Sequence, residues 1–461
     1  MSCDGCKPTG LDNPDRKNPA WHFTVVSSAF TLGSVFAPYT LSAGGWVWGS
    51  IFWIYSTLTT WWSGILIGRC VLDGAKRGVG STYPDMMADA FGKGGYWLTV
   101  VMQLVTYYLV VSSLLVDAAN WLLLAWQVAQ GNPNEVGLCL WQWLFVVGVV
   151  VAVLAQIRTF RQVLPLAVIS LASTVARQLI LYYQIGSRNL ITECQPEYGG
   201  VTIRSMFNSL STTAFLYGGH GMFPEEIREM RRPESYFRAL HGTYVICAAV
   251  YASNAYVSYY VWGSWVSADI QFNWPLNAAT FASAVLSVVW VLIEVTMSHV
   301  MLLSLVERTI VDPEQLATRI SSSGKMPSYI IRLALRAAFV WSEVMLAFML
   351  ASAGVADLQA FAGAFGFTAL TYYAPFAAYW KLIARKQEPL WRQLCYGATF
   401  LSGVALLIVG VYSSGTGIVE GLGTYRLFDT STCRTADIVD LASCKNPCRQ
   451  AYGFNGTACV S

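Results

Sequence analysis

Residues 215–226 read FLYGGHGMFPEE and lie between two apolar runs that together have the length of one membrane helix. Gly218, Gly219 and Gly221 surround His220, and Pro224 follows. Non-helical backbone survives in hydrocarbon only where protein covers it or where it lines a wet cavity. Glycine alone would fit tight packing of membrane helices. Adding a midspan histidine and a proline points instead to an unwound segment that forms a site. A second such place is TLGSVFAPY, residues 31–39, followed by Gly44, Gly45 and Trp46. Two Gly/Pro-interrupted spans, the first and the sixth, mark an inverted-repeat carrier whose broken helices meet at the midplane. Half-helix N-termini there offer N–H groups and positive dipole ends to an anion such as a carboxylate. The expected contacts are the backbone around Thr31, Gly33, Ser34 and Val35 and around Tyr217, Gly218 and Gly219.

Composition agrees with a membrane setting. The chain of 461 residues is 55% hydrophobic and only 12% charged, where a soluble protein carries roughly a quarter charged residues. Its 24 Tyr and 18 Trp suit anchors at two bilayer interfaces. The polar N-terminus, MSCDGCKPTGLDNPDRKNPA, has no apolar core or small-residue cleavage site of a signal peptide. A net charge of +3 gives no case for nucleic acid. Reading for about 20 apolar residues per span gives eleven candidates: 21–43, 46–70, 96–128, 138–157, 163–186, 206–224, 236–263, 277–306, 327–352, 359–381 and 391–414. The expected organisation is a cytosolic segment over residues 1–20, a membrane domain over 21–416 and an extracytosolic Cys-rich tail over 417–461.

Orientation follows from the basic residues. With the N-terminus in the cytosol, 22 of the 29 Lys and Arg fall on the cytosolic side, against Arg188 and Arg204 in the opposite loops, a strong positive-inside bias. Six of the 11 cysteines then fall outside: Cys139, Cys194, Cys433, Cys444, Cys448 and Cys459. An even number there suits disulfides. Cys139–Cys194 is expected to join the loops after the third and fifth spans, with two bridges in the tail whose connectivity stays open. Asn455-Gly456-Thr457 is a glycosylation acceptor on the same face.

Segment 31–49 resembles the first-helix motif of the amino acid/auxin permease family, within the amino acid–polyamine–organocation superfamily. That motif runs Gly-x-Gly, an apolar stretch, Pro-Tyr, then Gly-Trp-x-x-Gly. Gly33, Pro38, Tyr39, Gly45, Trp46 and Gly49 match, and Thr31 stands at the first Gly. Residues 214–233, AFLYGGHGMFPEEIREMRRP, resemble the family's sixth helix and the acidic-basic cytosolic hinge after it. The Tyr-Gly-Gly-His form is similar to that of plant auxin influx carriers and of vacuolar and lysosomal amino acid carriers. The resemblance implies an all-α polytopic protein with eleven transmembrane helices and a cytosolic N-terminus. It also implies a leucine-transporter-type 5+5 inverted repeat plus one extra helix. In such folds the fifth and eighth helices flank the first beside a sodium position.

Arg177 and Glu294 fall near the middle of the fifth and eighth spans, the latter with Thr296, Ser298 and His299. Ionisable residues at that depth are read as paired and functional. A fixed Arg177 at the sodium position would leave a proton as the driver, with Glu294 as its partner; a purely structural pair is the alternative. His220, with an ordinary pKa near 6.5, is the expected proton carrier or sensor, and Pro224, Glu225 and Glu226 are expected to mark the turn into the hinge. Asp117 and Tyr107 are expected at the cavity or in a buried polar contact, and Glu343 with Arg336 as a structural pair.

No nucleophile set, phosphate loop or hydrolytic carboxylate pair argues for an enzyme, and no cofactor or metal motif is expected, since Cys3 and Cys6 lack a second ligand pair. The functional expectation is a secondary active, proton-coupled transporter of amino acids or related small carboxylates. Its membrane would be the plasma membrane or an endolysosomal or vacuolar one. The alternative is a non-transporting subunit of a larger complex, docked through its tail.

Overall fold

The computed structural model describes residues 18–80, 82–132, 137–188, 190–311, 328–351 and 355–422. The four tail cysteines, Asn455, Cys3 and Cys6 lie outside the described residues. Within them the chain is nearly all helix, with two isolated bridges, Asn18–Met230 and Glu197–Gly263, and no strand.

Five described helices are long and apolar enough to cross a membrane: Tyr83–Gln130, Gln162–Gly186, Ala278–Thr309, Tyr329–Leu350 and Leu390–Leu422; Leu140–Leu154 is a shorter apolar helix. Large apolar side chains such as Val153, Val175, Leu179, Leu401 and Ile408 stand exposed on these helices. Polar groups turn inward instead: Asp117, Arg177, Glu294, His299, Arg336 and Glu343 are all buried. Apolar outside and polar inside is the arrangement a bilayer demands. The chain is a multi-pass integral membrane protein.

In chain order the helices are α1 (Ala20–Thr31), α2 (Ala37–Gly44), α3 (Ser50–Lys76), α4 (Tyr83–Gln130), α5 (Leu140–Leu154), α6 (Phe160–Gly186), α7 (Leu190–Cys194), α8 (Ile203–Leu216), α9 (Phe223–Glu229) and α10 (Tyr236–Trp262). Then follow α11 (Ala278–Thr309), α12 (Ser328–Leu350), α13 (Val355–Ala362), α14 (Ala374–Tyr379) and α15 (Leu390–Leu422).

Residues 21–43 and 206–224 are each interrupted near the middle, as their Gly and Pro residues lead one to expect. Several other boundaries differ from expectation for local reasons. Helix α4 starts well before residue 96, because Thr82 and Asp85 close a reciprocal capping box at its N-terminus and Gly92 (φ 69°) joins two helical pieces. It stops at Gly131, whose left-handed φ of 63° caps the last turn. The stretch expected over 359–381 is α13 and α14 with wide π turns at Gly363–Phe367 and Ala369–Tyr373. An added Cβ at Gly363 would meet the Ser211 carbonyl of α8, so this glycine sets a close helix approach. The last helix runs past residue 416 to Leu422. Around the interruptions, α1 packs on α6 and α10, α2 on α8 and α10, and α11 on α4 and α6.

Candidate functional site

The first interruption begins where α1 stops at Thr31. Thr31 keeps helical geometry, so its β-branch costs little there, and the chain turns away at Leu32 (φ −78°, ψ 66°). The Gly33 N–H folds back toward the Thr31 carbonyl (2.8 Å) and the Tyr251 hydroxyl (3.3 Å). A short 3-10 turn, Ser34–Phe36, leads into α2, which has Pro38 in its first turn.

The second interruption repeats this construction. Helix α8 ends at Leu216, a 3-10 turn spans Gly219–Met222, and α9 opens at Phe223 with Pro224 in its first turn. Pro224 therefore starts a helix, where a missing N–H and a fixed φ are tolerated; it does not mark a turn into the hinge. The glycines serve space more than dihedral freedom, since none of Gly218, Gly219 and Gly221 has positive φ. A Cβ on Gly218 would run into the Phe367 ring, one on Gly221 would press on Tyr107, and one on Gly219 would sit 3.2 Å from Thr31 Oγ1.

One side chain ties both breaks together. The fully buried Tyr251 of α10 places its hydroxyl against the carbonyls of Thr31 and Leu216, the last residues of α1 and α8 (2.9 Å to Leu216). It also receives the Gly33 N–H. A hydroxyl has one proton and two lone pairs, so its proton is shared between the two carbonyls. Both are terminal carbonyls that a broken helix leaves without their usual helical donors.

Between the breaks lies a small cavity. Thr31, Gly33, Gly218 and Gly219 line it from the two interruptions, with aromatic walls from Phe30, Phe215, Trp290 and Phe367. The first amides of the turns starting at Ser34 and Gly219 have no carbonyl one turn back in their own helix. Glu294 is the charged side chain among the lining residues; it is 6% exposed, and its Oε2 has no hydrogen-bond partner among the described residues. Trp290 stands one helical turn before it on α11.

The remaining expected site residues stand behind this lining. Val35 is buried and absent from it, and Ser34 contributes the start of the 3-10 turn. The Tyr217 hydroxyl accepts from Thr57 Oγ1 (2.8 Å), and its ring stacks with Tyr244 at 5.9 Å. Tyr107 supports Gly221 and sets its ring edge against Phe367. Asp117 accepts from Gln359 Nε2 (3.1 Å).

His220 faces α3 and the π-helical segment rather than the cavity. Its Nε2 lies 2.8 Å from the Thr60 carbonyl, so the network assigns the proton to Nε2. Thr371 Oγ1 then donates to Nδ1 (3.3 Å), and the Tyr244 hydroxyl stands 3.3 Å from Nε2.

The expected Arg177–Glu294 contact is not formed within ion-pair distance among the described residues. Arg177 donates to Ser287 Oγ (3.2 Å) and Thr174 Oγ1 (3.0 Å), and its guanidinium lies 4.9 Å from the centre of the Trp290 ring. Hydroxyls and a π-face hold the cation instead. Nor do Arg336 and Glu343 pair. Arg336 Nε donates to Glu307 (2.6 Å) and its Nη1 to the Ala155 carbonyl, while Glu343 meets His299 Nε2 at 2.6 Å. The free thiols among the described residues are Cys70, Cys247 and Cys395; Cys139 and Cys194 are not among them.

The lining residues missed in the sequence are chiefly Trp290 and Phe367, together with Tyr251 behind them. Trp290 was reachable from its four-residue spacing to Glu294. Tyr251 and Phe367 carry no local signal, because neighbouring helices bring them to the site.

Known proteins resemble this chain along most of its length. Residues 19–415 match the family model described as transmembrane amino acid transporter protein. Amino acid transporter AVT1J of Arabidopsis thaliana is 24% identical over 401 residues, covering 85% of this chain and 89% of that protein. Amino acid transporter AVT1C of the same plant is also 24% identical, over 85% of this chain and 68% of its own length. Lysine histidine transporter-like 6, again from Arabidopsis thaliana, is 23% identical over 439 residues, 91% of this chain and 94% of that protein. With a match running through both interrupted segments and nearly the whole helical body, the chain belongs to the transmembrane amino acid transporter protein family.

Proposed function

We propose that the protein is a secondary active transporter of amino acids or related small carboxylates, coupled to protons, whose substrate occupies the cavity between the two interruptions. The carrying observation is that both breaks converge there, with Thr31 and Gly33 at its wall from the first and Gly218 and Gly219 from the second. The substrate carboxylate takes the dipole ends of the turns at Ser34–Val35 and Gly218–Gly219, with Tyr217 and Tyr107 holding that backbone from behind. Alternating access rocks one bundle against the other around this site, in an eleven-span fold with a 5+5 inverted repeat plus one extra helix.

His220 carries the coupling proton. It joins the second break to α3 through the Thr60 carbonyl, and protonating Nδ1 displaces the Thr371 hydroxyl that donates to it. Arg177 and Glu294 complete the charged set, Arg177 as the fixed cation. The N-terminus is cytosolic and the tail extracytosolic, with a Cys139–Cys194 bridge and Asn455 as a glycan site.

Uptake of radiolabelled amino acids into proteoliposomes under an imposed pH gradient tests this reading. Wild-type protein accumulates substrate and stops when the gradient is collapsed. His220→Gln, which keeps hydrogen bonding but not titration, binds substrate yet loses the pH dependence. No uptake of any amino acid, or an unchanged pH profile in the variant, would reject transport and the histidine role respectively.

A further inference from the structure

Of the three carboxyls on α9, Glu226 stands without a counter-charge among the described residues. It is 3% exposed, and the Ser27 hydroxyl of α1 meets its Oε2 at 2.9 Å. Its Oε1 has no hydrogen-bond partner among the described residues. Arg228 and Arg308 act on Glu225 and Glu229, and neither acts on Glu226. The groups that face it are Ser27 from α1, Tyr236 from α10 and Glu229 further along α9, and none of these is a cation. From α3 comes only the Gly64 carbonyl, which accepts from the Tyr236 hydroxyl (2.9 Å). His22 of α1 is buried and does not act on Glu226. Phe23 packs on Phe223 and Tyr236, so the three helices that carry these groups close on one another through rings. Their ends are strapped as well: Asn18 accepts from the Arg231 N–H (2.7 Å) and donates to Glu229 (3.1 Å). A carboxylate buried without a cation is costly, whereas a neutral carboxyl is satisfied by far less. A hydroxyl serves it as donor or acceptor.

We propose that Glu226 is a proton-binding site that latches α1 to α9. It is neutral while the two helices are closed on each other; when they part it ionises, and its proton passes to water at that end. This site is separate from His220, which faces the Thr60 carbonyl. Its direction rests on the transport reading above, which places this end in the cytosol, so the proton leaves there as the inward path opens. The closed end binds the proton more tightly than the open one. Closure is therefore favoured as pH falls and weakens as pH rises, by about tenfold per pH unit above the range of an exposed carboxyl.

The test uses the full chain in liposomes without substrate. Infrared spectra at neutral pH should show the carbonyl stretch of protonated carboxyls, and Glu226→Gln should remove one group's share of it. Spin labels on Trp21→Cys and Glu234→Cys, exposed positions on α1 and after α9, report the ratio of closed to open protein once Cys3, Cys6 and Cys395 are replaced by serine. That ratio should fall by about tenfold per pH unit in wild type. Glu226→Gln, a permanently neutral side chain, should stay closed and lose about that much of the slope, while Glu226→Asp should restore it. No loss of the infrared band in Glu226→Gln would overturn the proposal. So would a wild-type ratio indifferent to pH, or one with the same slope in Glu226→Gln. Neither readout involves transport, so an absence of amino acid uptake would reject the transport reading and leave the latch standing.

Discussion

Replacing Tyr251 by Phe removes one oxygen from a fully buried position and tests whether the two interruptions are held as one unit. The Thr31 and Leu216 carbonyls both lose the same donor, and the Gly33 N–H keeps only the Thr31 carbonyl. Each buried group left unsatisfied costs about 1–3 kcal/mol. The Thr31 carbonyl keeps the Gly33 N–H, so the Leu216 carbonyl is the one that loses its hydroxyl donor unreplaced, and a net loss of about 2 kcal/mol is expected. Tyr217→Phe is the internal control. It removes a hydroxyl that meets one side chain, Thr57, and should cost about 0.5–1.5 kcal/mol. Thermal unfolding in detergent, followed by intrinsic fluorescence with and without substrate, should rank wild type above Tyr217→Phe and Tyr217→Phe above Tyr251→Phe. The Tyr251 variant should also show a reduced stabilising shift on adding substrate. A Tyr251→Phe protein as stable as wild type, or more stable than the Tyr217 variant, would show that the two broken ends do not depend on this hydroxyl.

Gly218→Ala should abolish transport and lower stability by at least about 1–3 kcal/mol, because the new methyl meets the Phe367 ring, whereas Gly199→Ala, in open space, should leave uptake unchanged. Breaking the buried His299–Glu343 pair by His299→Leu should cost about 3–5 kcal/mol, and adding Glu343→Leu should recover much of that in the same unfolding assay. Outside the spans, Glu388 receives hydrogen bonds from Tyr396 and Tyr379, with Arg392 and Arg69 nearby. Burial alone, the largest single influence, would raise its carboxyl, but those donors and charges together hold it below its ordinary value of 4.5. Its folded form binds the proton more weakly than the unfolded chain, so its contribution is complete above the unfolded value and is lost as pH falls through the folded one. Glu388→Gln should therefore lower stability near neutral pH and flatten the acid-side decline; a variant declining in acid as steeply as wild type would exclude this role. Serine at Cys139 or Cys194 should lower thermal stability and leave a new thiol reactive to maleimide under non-reducing conditions.

The paired interruptions were legible because each advertises itself in a few adjacent residues. Glycine next to proline in an apolar run is rare enough to locate Gly33 and Gly218–Gly221, and Thr31, Gly33, Gly218, Gly219 and Glu294 do line one cavity. What the sequence hid depends on which way side chains turn after helices cross. His220 has the chemistry of a proton carrier, yet its ring turns to the Thr60 carbonyl. Arg177 and Glu294 stand at similar depth, yet Trp290 takes the guanidinium. Tyr251 is one of 24 tyrosines, and only the packing of α10 against both broken ends singles it out. Helix ends were hidden for a simpler reason: the Thr82–Asp85 cap that extends α4 is polar, and a search for apolar windows ignores it.

The most direct measurement is an experimental structure of the protein with a transported amino acid bound. Density for the substrate should lie between Gly33 and Gly219, its carboxylate within hydrogen-bond reach of the amides that open the turns at Ser34 and Gly219. Substrate bound elsewhere, or α1–α2 and α8–α9 closing into continuous helices when it binds, would contradict the site proposed for this carrier.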